Sequence, residues 1–342
     1  MQALGGYTLR EHVLIVGDWD ADGVVSAAII YYLQEKIGIY PIKNRVEVVL
    51  EPSGPRGLRE KLKKVEESPK ALVILDIPYI RGLDEVLKEF KNKHGSFITY
   101  VDHHLSTIYS SRKLEGIVDD LIIGHKPTVI LTYNLARSLN VKLTPRLEAF
   151  VKAVALMEKG AKIPENLKGM IKLASSISKA LTVTRDPDYW RQLVKWLASP
   201  LIIPQPLIKK EVIEKALEIS AETDRKIKEL AMELALTART VGYIKFVDAR
   251  KKWYGRGSTA LASKLYHILR QPIALLVMGR ENHQLLIVKA KRGGANRIAR
   301  FFYERGLVVD IGGHESLAII RLKKGLPLET ILKVLREASL RL

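Results

Sequence analysis

The sequence predicts an α/β protein with a mainly parallel sheet flanked by helices, and three features carry that prediction. From Val13 to about Gly124, short β-branched runs alternate with helix-patterned segments, the signature of βαβ units. Three of the apolar runs end on acidic residues: Gly17-Asp18-Trp19-Asp20-Ala21-Asp22-Gly23, Leu75-Asp76-Ile77-Pro78 and Val101-Asp102-His103-His104. Beyond Val241 a second alternation of strands and helices begins, after a long polar helix pattern.

Taken in order, strands are expected at 13–16, 46–50, 72–75, 97–101 and 121–123. Helices are expected at 24–36 and 57–67, the second introduced by the loop Pro52-Ser53-Gly54-Pro55. Residues 128–196 are mostly helical in pattern, and Asp186-Pro187-Asp188 reads as a cap before another helix. Pro204 and Pro206 mark a break. Residues 208–240 then form one polar helix with apolar positions at Ile213, Leu217, Ile227, Leu230 and Leu234, and with Glu211 to Lys215 and Glu222 to Lys226 spaced for mutual support. A helix polar around most of its girth often bridges domains. Strands follow at 243–247, 273–277, 284–289 and 316–320, with helices at 258–269, 295–305 and 328–338. The expected organisation is an N-terminal domain over 1–205, a connecting helix over 206–240 and a C-terminal α/β domain over 241–342.

Lysine and arginine total 56 against 37 acidic residues, a net charge of +19 in 342 residues. Such a field attracts polyanions, so nucleic acid is the first partner to consider. The absence of cysteine excludes disulfides and thiolate zinc sites. No signal-peptide pattern opens the chain and no apolar run approaches the roughly 20 residues that span a bilayer, so a cytoplasmic protein without a membrane partner is expected.

Parallel strands place their sites at their carboxyl ends, so Asp18, Asp20, Asp22, Asp76, Asp102, His103 and His104 should converge on one crevice. Close carboxylates repel one another unless a cation or proton intervenes. Oxygen and nitrogen donors without thiolate favour Mn²⁺ or Mg²⁺ over Zn²⁺. Taken alone, the first aspartate cluster reads equally well as a capping turn. In the C-terminal half, Lys289, Lys291 and Arg292 precede Gly293-Gly294 and a helix start, an arrangement that presents backbone N–H groups to an anion. Gly312-Gly313-His314 follows, with a tight turn between strands as its plain reading. Arg250-Lys251-Lys252-Trp253-Tyr254-Gly255-Arg256 interleaves cations with aromatic rings, as single-strand binders do, although rings tucked onto a core explain it as well.

Read together and in this order, the four motifs, ending with Gly312-Gly313-His314, resemble those of the DHH phosphoesterase superfamily, in particular RecJ-type members carrying a DHHA1 domain. The resemblance covers nearly the whole chain. It implies an N-terminal DHH domain, a long connecting helix, a C-terminal DHHA1 domain and two divalent metal ions, Mn²⁺ first and Mg²⁺ second. Carried over by position, Asp20 and Asp22 are ligands, with Asp18 a ligand or its partner. Asp76 bridges the ions, His103 ligates, Asp102 orients His103 and His104 faces the phosphate. Gly293, Gly294, Gly312 and Gly313, with Lys291 and Arg292, would hold backbone phosphates, and His314 would reach the scissile one. The mixed cationic and aromatic run, rather than the resemblance, adds Trp253 and Arg256 as expected substrate contacts.

One position departs from the pattern. The usual fourth-motif aspartate is matched by Glu158, at the end of Phe150-Val-Lys-Ala-Val-Ala-Leu-Met-Glu158. The alternatives are that Asp119 or Asp120 fills the place, or that the site is weakened.

The activity implied is a single-strand-specific exonuclease releasing mononucleotides, DNA before RNA, acting 3′ to 5′ as compact archaeal relatives do, in repair or replication with a helicase among its partners. A phosphodiesterase for short oligonucleotides or cyclic dinucleotides, and a non-catalytic subunit resembling Cdc45, are the alternatives.

Overall fold

The computed structural model describes residues 11–159, 164–201, 210–253, 257–279, 283–291, 293–340 and 342, without the side chains of 159, 210–213, 215–217 and 220. The described residues form two compact units that divide at Leu217 and Glu218, with the tripeptide His104–Ser106 grouped with the second.

The first unit is built on five parallel strands, β1 (His12–Gly17), β2 (Glu47–Pro52), β3 (Ala71–Leu75), β4 (Phe97–Asp102) and β5 (Asp120–Ile123), in the order β2-β1-β3-β4-β5. Strands β1 and β3 are buried at every position, as expected of parallel strands covered on both faces. Their side chains alternate between two cores, because successive residues of a strand point to opposite faces. Val13, Ile15, Val73 and Leu75 pack in one core, whereas Leu14, Val16, Leu72 and Ile74 pack in the other.

Helices cover both faces. The first core receives α1 (Ala21–Tyr31), which continues as a π-helical turn over Tyr32–Ile37, and then α6 (Thr128–Ser138), α7 (Pro145–Lys159), α8 (Lys168–Thr184) and α9 (Pro187–Ala198). The second core receives α2 (Pro55–Lys63), α3 (Leu83–His94) and the short α5 (Ser111–Leu114), which follows α4 (Leu105–Tyr109). The sequence reading overlooked α3, although its buried face, Leu83, Val86, Leu87 and Phe90, has clear helical spacing. Helix α2 ends at Lys63 rather than at residue 67. Asp186 caps α9 as expected, accepting from the backbone N–H groups of Asp188 and Tyr189.

The second unit begins in α10 (Lys210–Ala235), whose Ile227, Ala231 and Leu234 are buried against a six-stranded mixed sheet and α11 (Ser258–Leu269). The sheet comprises β6 (Arg239–Val241), β7 (Ile244–Asp248), β8 (Ile273–Met278), β9 (Gln284–Lys289), β10 (Val308–His314) and β11 (Leu317–Leu322), ordered β10-β11-β9-β8-β7-β6. Only β7 and β8 pair in parallel. Helices α12 (Gly294–Glu304) and α13 (Leu328–Ser339) complete it. Lys226 and Glu222 form the expected ion pair on α10, at 2.7 Å, whereas the side chains of Glu211 and Lys215 lie outside the described residues. The polar helix stops at Ala235, five residues short of the expected end, because the chain turns into β6.

Candidate metal centre

Register brings the motifs together. Gly17 pairs with Leu75 and Leu75 with Val101, so three adjacent strands finish level with one another. Each following residue continues that alignment: the Asp18 N–H donates to the Leu75 carbonyl at 3.2 Å, and the Asp76 N–H to the Val101 carbonyl at 3.0 Å. Asp20 caps α1 by accepting from the Gly23 N–H, so the capping reading holds for one of its oxygens. Gly23 is required there, since a Cβ would lie 2.6 Å from the Asp18 carbonyl oxygen.

Asp22 and Asp76 are buried, and α6 organises both. The first two N–H groups of α6, on Thr128 and Val129, donate to Asp22 at 3.0 and 2.6 Å, a favourable use of a helix N-terminus for a carboxylate. The Thr128 hydroxyl donates to Asp76 at 2.8 Å. Asp76 has φ of +59°, an uncommon conformation for a residue with a side chain, and such strain tends to sit at functional sites. His103 Nε2 lies 3.5 Å from Asp76 and 3.8 Å from Asp22. Asp102 accepts from the Thr107 hydroxyl, whose oxygen in turn accepts from the Tyr79 N–H at 2.8 Å. Asp76, His103 and His104 offer ligand atoms all within 4.8 Å of one another.

Electrostatics registers the same convergence. Burial, then Glu158 and Asp20, push the Asp22 carboxyl well above its ordinary range, against the pull of the α6 N–H groups. Burial, then Asp22, Asp20, Asp102 and Asp18, do the same to Asp76. The other four predicted aspartates thus act on Asp76, and Glu158 and Asp20 act on Asp22. A buried group of carboxylates and imidazoles with no thiolate is the donor chemistry of Mn²⁺ and Mg²⁺, so the residues fit a hard divalent ion.

The alternatives to Glu158 are corrected by position. Asp120 opens β5 opposite Thr99, three residues below the Asp102 level, where its carboxylate accepts from the Tyr40 hydroxyl at 2.5 Å. Asp119 accepts from Lys91 at 2.7 Å and from the Ile98 N–H at 2.8 Å. Both occupy the amino end of the sheet, away from the aspartates.

In the second unit, Gly312, Gly313 and His314 lie within β10 and not in a turn, which corrects the plain reading of the pair. Gly313 has φ of +90°, and a Cβ there would lie 2.1 Å from the Leu317 carbonyl oxygen. Burial and the Lys289 charge lower His314 to about 4, so its imidazole is neutral at neutral pH. Its Nδ1 lies 3.3 Å from the Ser316 hydroxyl. Gly293 is the N-cap of α12 at φ of +72°, Gly294 is buried in the first turn, and Lys291 is exposed. Trp253 packs against the second-unit core and donates its indole N–H to Ser258 at 3.0 Å, as the tucked reading has it. Arg256 and Arg292 lie outside the described residues.

Several organising residues escaped the sequence reading. Thr128 and Thr107 hold the carboxylates, and the Trp190 indole donates to the Asp18 carbonyl at 2.9 Å. The one local signal was Pro127-Thr128, a helix start whose free N–H groups seek an anion.

No protein-family model and no curated protein matches the sequence. Solved structures do. RecJ from Thermus thermophilus, in complex with Mn²⁺, matches with a TM-score of 0.58 at 13% identity over 97% of this chain and 52% of that one. The chain thus spans about half the length of that protein. The DHH domain of a member of the s1p family of ribosomal proteins gives 0.58 at 17% identity over 97% and 87% of the two chains. An exonuclease RecJ bound to manganese gives 0.54 at 15% identity, over 97% and 91%. With a parallel sheet carrying the three acidic strand ends and a second mixed sheet carrying Gly-Gly-His, the chain has the DHH/DHHA1 fold that its motifs resemble.

Proposed function

We propose that the chain is a metal-dependent phosphodiesterase that trims single-stranded nucleic acid, DNA before RNA, from the 3′ end to mononucleotides, in repair or replication. One observation carries the reading. Asp22, Asp76 and His103, each from the segment that follows a different strand, meet in a buried site where burial and neighbouring carboxylates raise the pKa of Asp22 and Asp76.

In this reading Asp20, Asp22, Asp76, His103 and Glu158 hold two divalent cations, Mn²⁺ first and Mg²⁺ second, with Asp18 as a further ligand or its partner. Bound cations would supply the positive charge that polarises a phosphoryl oxygen and acidifies an attacking water. The chain's own residues do the positioning. The α6 N–H groups and Thr128 hold Asp22 and Asp76 in fixed rotamers, and Thr107 fixes Asp102, so the acidic cluster need not reorganise when its charge is neutralised. His104 faces the phosphate. His314, neutral at neutral pH, donates a hydrogen bond to a phosphoryl oxygen without being drawn into an ion pair. Lys291, Arg292, Gly293, Gly294, Gly312 and Gly313 are the backbone-phosphate contacts of this reading, and Trp253 and Arg256 are its further substrate contacts. A helicase or other replication or repair protein is the protein partner of this reading, and the cytoplasm its compartment.

The test is a time course with Mn²⁺ and single-stranded DNA or RNA labelled separately at each end. Mononucleotides released from the 3′ end are expected, and shortening from the 5′ end overturns the polarity. Asp76→Ala and His103→Ala should each abolish hydrolysis while leaving the circular dichroism spectrum unchanged. Full activity in either removes the centre.

A further inference from the structure

Arg59, Arg81 and Lys113 line one open cavity of about 470 Å³ in the first unit, together with Tyr79, Gly82, Asp84 and Glu85. They come from three elements: α2, the segment between β3 and α3, and α5. Among the described residues none of the three cations has an ion-pair partner, although other basic side chains of this unit do, Lys61 and Lys91 among them. Asp84 accepts from the Tyr79 hydroxyl at 2.6 Å and keeps its charge, so two carboxylates, Asp84 and Glu85, stand against three cations and the cavity retains a net positive charge. Like charges gathered around one cavity repel one another, and an anion in that cavity relieves the repulsion.

The cavity is held in shape. The Arg59 guanidinium donates to the Arg81 carbonyl at 3.3 Å, so α2 fixes the loop that carries the second cation. The Lys113 ammonium sits 5.8 Å from the centre of the Tyr79 ring. Tyr79 is buried, and its N–H donates to Thr107, the residue whose hydroxyl also holds Asp102. Tyr79 follows Asp76 by three residues, at most about 11 Å of backbone.

We propose that Arg59, Arg81 and Lys113 form a phosphate subsite for the nucleic acid backbone, placed beside the acidic cluster and separate from the glycine-lined segments of the second unit. The inference rests on the nucleic acid reading above and deepens it: one unit by itself would carry both the acidic centre and a cationic contact to the polymer. A strand held here is gripped by charge alone, independent of base identity. The two arginines can each present paired N–H donors to phosphate oxygens, and Lys113 adds a point charge.

The test uses the full chain in chelator and a fluorescent oligothymidylate of about 20 nucleotides, with affinity measured by anisotropy across a salt series. For the double variant Arg81→Ala/Lys113→Ala, binding should weaken roughly tenfold at low salt. The slope of log K against log salt should become shallower by about 1.4, since each lost single-strand phosphate contact removes about 0.7. Arg59 stays because it supports the loop. If the double variant melts early, Lys113→Gln alone, on an exposed side chain, should produce half of that slope change. A slope equal to that of the unaltered chain overturns the subsite while leaving the nucleic acid reading intact. Failure of the unaltered chain to bind the oligonucleotide, or binding without salt dependence, overturns both.

Discussion

At the scale of single residues, the governing fact is that Asp22 and Asp76 are buried carboxylates surrounded by other carboxylates. Their folded pKa values lie above the unfolded ones, so without metal the folded chain binds more protons than the unfolded chain. Stability from these groups is therefore fully present below the unfolded carboxylate range and is lost as pH rises through the raised folded values. The metal-free protein should accordingly melt at progressively lower temperature as pH increases from the acidic side toward neutral, and Mn²⁺ should abolish that slope by replacing the protons. Asp76→Asn should flatten the metal-free slope and remove most of the Mn²⁺-induced rise in Tm, as read by calorimetry with and without the ion. These residues stood out in the sequence because acidic ends of three apolar runs occur together and in the order of one family's motifs, whereas a single aspartate there reads equally well as a cap. Thr107, Thr128 and Trp190 were not legible, because a threonine on a helix or a tryptophan in an amphipathic stripe has many uses and its partner lies far along the chain.

At the scale of elements, the acidic loop after β1 depends on close backbone contact between Gly23 and Asp18. A Cβ at Gly23 would lie 2.6 Å from the Asp18 carbonyl oxygen and 2.7 Å from its nitrogen, both backbone atoms that cannot rotate away. Gly23→Ala should cost about 1–3 kcal/mol in urea denaturation and weaken Mn²⁺ binding, because the loop must shift to make room. The strands of the first unit were read to within one or two residues from their β-branched runs. Helix α3 was missed despite its clean apolar spacing because Gly82 at its N-cap offers no capping side chain to mark the start. Strand β10 was missed for a different physical reason: Gly312 and Gly313 look like a turn, yet the actual turn comes after His314, where β10 reverses into β11. Two glycines within a strand are unfavourable locally, and pairing with β11 offsets that cost.

At the scale of the whole molecule, the proposed function predicts that the excess of 19 positive charges makes association with a single strand salt-dependent and nearly indifferent to sequence. Affinities for thymidylate and cytidylate oligomers of equal length should fall together as salt rises, with log K linear in log salt. A strong preference between them at every salt concentration would show that bases, not phosphates, dominate recognition. By itself the sequence determined the α/β class, the order of the strands along the chain, the acidic and imidazole residues that end them and the cationic bias, because each of these is written in local periodicity and composition. Only the tertiary structure showed that Asp119 and Asp120 lie at the amino end of the sheet, with Lys91 and Tyr40, and that the charge of Glu158 acts on Asp22. It also showed that α6 braces Asp22 and Asp76, and that Arg59, Arg81 and Lys113 share a cavity. Those facts depend on which strand lies beside which and on where helices separated by dozens of residues end, distances that no local pattern encodes.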